Sequence, residues 1–226
     1  VSGITMPAMA SQLSVEPVKN PEFPIVTKFS QTTLTYTGQP LALPYEVTTP
    51  VGLEGFKVLY AEAENGEYSE TPFTNAGTYY AKLHRDEDAT HKEYNSVPQA
   101  FTIAKAPLII KEQPTVKIGK DDNNQDAYLF EGGKVVYMNG NTEVDVTKEG
   151  QFEVSTSTSV DKDWKSLEVK FVPTDKNNLS EASCTIYNKE AEDYKEYSVE
   201  IDAKSITMQI FAGATPVADK VVDGSK

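Results

Sequence analysis

Asn75-Ala76-Gly77-Thr78-Tyr79-Tyr80-Ala81-Lys82-Leu83-His84 is the stretch that decides the fold. Tyr79, Ala81 and Leu83 alternate with Tyr80, Lys82 and His84. Successive side chains of a β-strand point to opposite faces, so this alternation predicts a strand with one face in a core and one in water. Gly77 allows the tight corner that leads into it.

The same period recurs on both sides. Phe56, Val58 and Tyr60 alternate with Lys57 and Leu59, and Phe101 and Ile103 with Thr102 and Ala104. Leu167, Val169 and Phe171 alternate with Glu168 and Lys170. Thr37-Gly38, Asn65-Gly66, Gly132-Gly133 and Asn139-Gly140 punctuate these runs, and Asn-Gly between strands is a hairpin signal because both residues tolerate positive φ. Many short strands, frequent turns and no long amphipathic stretch predict an all-β chain of β-sandwiches. Asn188 to Lys195 is charged and reads as a connector with at most one helical turn. From Tyr197 to Gly213, Val199 and Ile201, then Ile206, Met208 and Ile210, alternate with polar residues, which predicts ordered strands.

With 226 residues the chain has room for two small domains. Lys57-Val58-Leu59-Tyr60 has a counterpart in Lys134-Val135-Val136-Tyr137, which suggests a tandem array. Residues 28–108 form the first expected domain and 109–190 the second, with the Pro107 to Pro114 stretch as their junction. Residues 1–27 are expected as an N-terminal strand, linker or end of a preceding repeat. Residues 191–226 are expected to complete the second domain or open a further one.

Four pieces of the first segment, in order, carry a resemblance: Tyr36-Thr37-Gly38, Asn75-Ala76-Gly77-Thr78-Tyr79, Glu93-Tyr94-Asn95 and Phe101-Thr102-Ile103-Ala104-Lys105-Ala106. Together they resemble a repeat of the MBG type, an immunoglobulin-like unit arrayed on bacterial cell-surface proteins, many from Bacteroidetes. Val169-Lys170-Phe171-Val172-Pro173-Thr174-Asp175 with Asn178-Leu179 is similar to another bacterial Ig-like repeat, whose members usually have Asn-Tyr at the last position. Ile4-Thr5-Met6-Pro7-Ala8 is similar to the closing strand of such repeats, and Lys220-Val221-Val222-Asp223-Gly224-Ser225 to an opening one. In an Ig-like frame Tyr79 stands where a tyrosine corner would put its hydroxyl on nearby backbone, and Ala81 where antibody domains place a cysteine. The resemblance implies extracellular display, spacing and adhesion, and it carries over no catalytic residues.

Charge and cysteine usage narrow the function. The formal net charge is −13, from 34 acidic and 21 basic residues, a field that repels phosphate backbones and anionic membranes. Nucleic acid is therefore not expected as a partner, and no apolar run is long enough for a membrane helix. Cys184 is the one cysteine, so no intrachain disulfide forms, and its alternation with Ala182 and Ile186 reads as a buried core thiol. The chain opens at Val1 with no signal peptide, as expected of a processed or excised piece.

Candidate chemistry is sparse. His84 and His91 flank Arg85, Asp86, Glu87 and Asp88, but their spacing matches no metal site and reads as a solvated hairpin tip. Asp122, Asn124 and Asp126 alternate like the first ligands of a calcium loop; Ala127 then replaces the turn glycine and Gly133 stands where the bidentate Glu belongs. No phosphate loop, zinc-binding helix motif or nucleophile–base pair is present in the sequence. The expectation is a non-catalytic spacer or stalk of a secreted or surface protein, with no cofactor and no metal. The competing expectation is a carbohydrate-binding module, in which Trp164 and Tyr80 would stack on sugar rings; a Trp among charges at a loop edge is more often half-buried packing.

Overall fold

The structure, a computed structural model, describes residues 26–48, 53–156, 159–201 and 204–211. It is all-β, with no helix among those residues. The first seven strands are β1 (Val26–Phe29), β2 (Thr33–Thr35), β3 (Tyr45–Thr48), β4 (Phe56–Ala61), β5 (Gly77–Arg85), β6 (Tyr94–Asn95) and β7 (Gln99–Ala104). Ten follow: β8 (Ile109–Glu112), β9 (Thr115–Lys120), β10 (Asp126–Glu131), β11 (Lys134–Asn139), β12 (Thr142–Asp145), β13 (Gly150–Val154), β14 (Ser166–Pro173), β15 (Ala182–Tyr187), β16 (Tyr194–Ile201) and β17 (Lys204–Phe211).

The chain divides into two compact units. The first takes the described residues up to Leu34, then Pro40–Phe73 and Gly77–Thr102. The second takes Thr35–Gln39, Thr74–Ala76 and the described residues from Ile103 onward. Two short turns of the first repeat-like segment thus lie in the second unit.

The first unit is built mainly on a sheet of order β2-β7-β5-β4, with β6 beside β5 and a separate β1–β3 pair. Antiparallel register sets Tyr60 opposite Ala81 and Val58 opposite Leu83. The predicted inward face of β5 is the buried one: Ala81 and Leu83 are fully enclosed, with Tyr60 and Phe101. The buried Tyr60 hydroxyl accepts the Leu43 N–H at 3.0 Å. Phe73 stacks on Tyr79 at 3.9 Å, and the Tyr79 ring also meets Phe101 at 5.7 Å.

In the second unit, two three-stranded sheets, β12-β11-β8 and β13-β14-β15, share one core. Val135 and Tyr137 from β11 meet Phe171 from β14 there, beside Leu108, Val146 and Leu179. Two sheets with a common apolar interior make a sandwich-like arrangement. The other half of the β14 inner face, Leu167 and Val169, is covered by Val116, Ile118, Tyr128 and Phe130 of the β9–β10 hairpin. One strand face of alternating apolar residues is therefore divided between two covers.

Local details differ from expectation at the turns. Asn139 ends β11 opposite Thr142, so the hairpin loop is Gly140-Asn141. Gly140 alone takes positive φ there, at the position a type II′ hairpin reserves for glycine. Gly132 and Gly133 do not close a hairpin. With φ of 70° and 87° they carry the chain from the β9–β10 pair into the β12-β11-β8 sheet. The Asn188 to Lys195 connector is two successive tight turns, closed by Ala191 N–H to Asn188 O and Tyr194 N–H to Ala191 O. β16 and β17 form an antiparallel hairpin where ordered strands were predicted. Residues 4–8, 212–213 and 220–225, where the remaining end expectations fall, lie outside the described residues. Among those described, no helix is long and apolar enough to cross a membrane.

Candidate functional site

Trp164 and Tyr80 belong to different compact units. Trp164 is 9 % exposed and sits in the apolar cluster of Leu167, Val169 and Ile186. Its ring meets Tyr128 edge-on at 6.3 Å, and its carbonyl accepts Asn188 Nδ2 at 3.0 Å. An indole enclosed in this way presents little face for a sugar. Tyr80 is half-buried on β5, opposite Ala61. On the neighbouring register position Lys82 places its ammonium 4.6 Å above the Tyr68 ring, a cation–π contact.

Tyr79 faces the core of the first unit, where burial raises its phenol above the ordinary value. Its hydroxyl lies over Gly77: a Cβ on Gly77 would come within 2.9 Å of that oxygen. The glycine of the Asn75-Ala76-Gly77 corner is thus needed for close approach of the tyrosine.

The loop after β5 is organised by its charges. Arg85, 9 % exposed, donates Nε to the Glu54 carbonyl at 2.8 Å, and Nη2 to the Asp88 carboxylate. Asp88 Oδ1 also accepts the N–H groups of Thr90 and His91, each at 2.7 Å. The Arg85 guanidinium first, and then these amides, hold the Asp88 carboxyl far below the usual carboxylate range. His84 bonds Asn95 Oδ1 at 3.0 Å and Asp86 Oδ1 at 2.9 Å, while His91 Nδ1 bonds Thr90 Oγ1 at 2.8 Å. His84, on β5, thus bonds to β6 and to the loop, while His91 bonds within the loop. The sequence placed Asp88 only in a solvated acidic cluster; its position two residues before Thr90 is the spacing of an Asx turn, which carries the turn-closing role.

The acidic β9–β10 turn is likewise closed on itself. Asp121 Oδ1, a residue outside the expected ligand set, accepts the N–H groups of Asn123 at 2.9 Å and Gln125 at 2.8 Å. Asn124 takes φ of 59°, and Asp126 pairs with Lys120 at 2.7 Å, which lowers its carboxyl. Among the described residues no group of three or more His, Cys, Asp or Glu gathers in a way that could hold a metal ion.

Cys184 is half-buried, not fully enclosed, and packs against the Trp164 cluster. Burial raises its thiol, with Glu168 adding to the shift, and both oppose thiolate formation.

Some of the residues that carry the repeat resemblance lie in the second unit: Tyr36-Thr37-Gly38, Asn75-Ala76, Ile103 to Ala106 and the Val169 to Leu179 pieces; Gly77-Thr78-Tyr79, Glu93-Tyr94-Asn95 and Phe101-Thr102 lie in the first. Tyr36 packs on its core and meets the Tyr137 ring at 5.9 Å. Tyr137 donates its hydroxyl to the Thr37 carbonyl at 3.4 Å. Buried Asn178 accepts the Ala76 N–H at 2.7 Å and donates Nδ2 to Asp175 at 2.8 Å and to Asn75 at 3.2 Å. Ala106 and Leu179 form a parallel bridge alongside. Comparison with protein-family models, with curated proteins and with solved structures finds no match to this chain.

Proposed function

We propose that this chain is a tandem pair of immunoglobulin-like β-sandwiches that serves as a non-catalytic spacer or stalk in a secreted or surface-displayed bacterial protein. One observation carries the reading. Six of the residues on which the resemblance rests, Tyr36, Thr37, Asn75, Ala76, Asp175 and Asn178, are engaged in backbone bonds, side-chain bonds and core packing. Side chains committed to holding turns in place serve mechanical integrity and leave no group over for acid–base or nucleophilic work. The pairing of exposed carboxylates with lysines, as at Lys57 with Glu70 and Asp86, fits a well-solvated surface.

Carbohydrate binding is the competing reading, and half-buried Tyr80 beside the Lys82–Tyr68 pair is what keeps it testable. A glycan array and a panel of glycosidase, esterase and protease substrates separate the two. A spacer gives no saturable glycan binding and no turnover. Saturable binding lost on Tyr80→Ala or Trp164→Phe, or turnover abolished by one point substitution, would overturn it.

A further inference from the structure

We propose that Asn139 is a self-modifying site, whose side-chain amide cyclises onto the Gly140 backbone nitrogen and reopens as aspartate and isoaspartate. Asn65, in the same Asn-Gly motif, is held back by its turn. The reaction is independent of the spacer reading and needs no enzyme.

The chemistry is local. The Gly140 nitrogen attacks Cγ of Asn139, an N–Cγ bond forms and the Cγ–Nδ2 bond breaks. The Gly140 N–H proton leaves with Nδ2 as ammonia. Water then adds to either carbonyl of the succinimide and opens it, so that amide and water become carboxylic acid and ammonia. A glycine in the following position leaves the attacking nitrogen uncrowded, because it has no Cβ. By motif alone the two Asn-Gly pairs of the chain have equal claims.

Their tertiary settings differ. Gly66 donates its N–H to the Ala63 carbonyl at 2.9 Å, a bond that its nitrogen must give up before it can attack. A Cβ on Gly66 would lie 3.1 Å from that carbonyl oxygen and 3.6 Å from the Ala61 Cβ, so this turn is closely packed. The Tyr68 hydroxyl ties the same loop again, to the Glu64 carbonyl at 2.9 Å. At its base Tyr60 and Ser69 exchange backbone bonds at 2.7 and 3.0 Å.

Gly140 has none of these restraints. It is exposed at the tip of the β11–β12 hairpin with φ of 59°, and a Cβ there would meet nothing within 4 Å. Its N–H and the Asn139 side chain form no hydrogen bond with a described residue. Asn139 and Thr142 are the last pair of their ladder, and such an end opens at low cost. Asn65 is the more exposed asparagine, but exposure supplies only the water of the second step. Cyclisation depends on a free nitrogen and a backbone that can turn. At Asn139 the product sets a carboxylate, and as isoaspartate an extra backbone carbon, at the end of the strand that carries Val135 and Tyr137 into the second unit's core.

The test incubates the full chain folded and, in parallel, in concentrated urea. Tryptic peptides are then followed by mass spectrometry, with an isoaspartyl methyltransferase assay to read isoaspartate. In urea the two pairs are expected to convert at similar rates. In the folded chain Asn139 is expected to convert about two- to tenfold faster than Asn65, the worth of the hydrogen bond at Gly66. Both aspartate and isoaspartate should form at position 139. Asn139→Gln must close a larger, slower-forming ring, and should clear isoaspartate from the hairpin peptide of residues 135–148 without changing the melting curve. Asn65 keeping pace with Asn139 in the folded chain overturns the proposal, and so does conversion of Asn139 in urea only. Aspartate without isoaspartate at position 139, or isoaspartate persisting in the hairpin peptide of the variant, overturns it as well.

Discussion

Asn178 accepts the backbone N–H of Ala76 on its side-chain oxygen at 2.7 Å, across 102 residues of sequence. The same side chain donates its amide hydrogens to Asp175 and Asn75, so one buried amide closes two turns within the second unit. Asn178→Ala removes all three bonds and leaves the Ala76 donor unsatisfied, at a cost of about 1–3 kcal/mol. Asn178→Asp sets a second carboxylate beside Asp175 and should destabilise as well, more at neutral pH than in acid. Urea denaturation of the three proteins checks both statements.

Gly38 and Gly55 separate two reasons for a glycine. Both take positive φ, 79° and 88°, but only Gly38 faces an obstacle: a Cβ there would lie 2.9 Å from the Tyr137 hydroxyl. Gly55→Ala should cost about 1–2 kcal/mol from the backbone alone. Gly38→Ala should cost more, because the Tyr137 hydroxyl must also move from the Thr37 carbonyl. Equal losses in thermal melts would show that the contact is unimportant.

Phe171 is fully buried where the two sheets of the second unit meet, with Phe152 edge-on at 5.1 Å. Phe171→Ala should destabilise by about 3–5 kcal/mol through lost transfer energy and the cavity left behind. Exposed Val97, by contrast, should tolerate Val97→Ala within about 0.5 kcal/mol. Denaturant midpoints measured on both variants give the comparison.

Asp88 supplies a pH dependence of known sign. Its folded-state value is depressed, chiefly by Arg85. A depressed carboxylate adds stability that is complete above its unfolded value, about 3.9, and is lost progressively as pH falls below that toward the folded value. Asp88→Asn should therefore lower the melting temperature at pH about 6, and its difference from the parent should shrink steadily below pH about 4. A difference independent of pH would remove the ion pair as its cause.

Much of the fold was legible because strand periodicity is a local property. Ala81, Leu83, Phe101, Ile103, Val169 and Phe171, the inward residues of their alternating runs, are all buried. The turns were legible as turns but not in their detail. Asn139-Gly140 shifted by one residue, because the ladder continued to the Asn139–Thr142 pair before the chain reversed. The candidate sites were read less well. Trp164 was legible as packing rather than a stacking platform, but not that the β9–β10 hairpin would enclose it. Asp121 and Asp88 each close their own turn by accepting an N–H two residues on, a spacing that local sequence carries but composition alone does not.

By itself, then, the sequence determined the all-β class, the inward face of the principal strands and the places where the chain turns, since each follows from the stereochemistry of a few adjacent residues. The tertiary structure decided which elements share a core, that Thr35–Gln39 and Thr74–Ala76 lie in the second unit, and that the β14 inner face is divided between two covers. Those outcomes depend on contacts between residues tens to a hundred positions apart. Side-chain shape and buried polar satisfaction select such contacts, and no local pattern of residues encodes them.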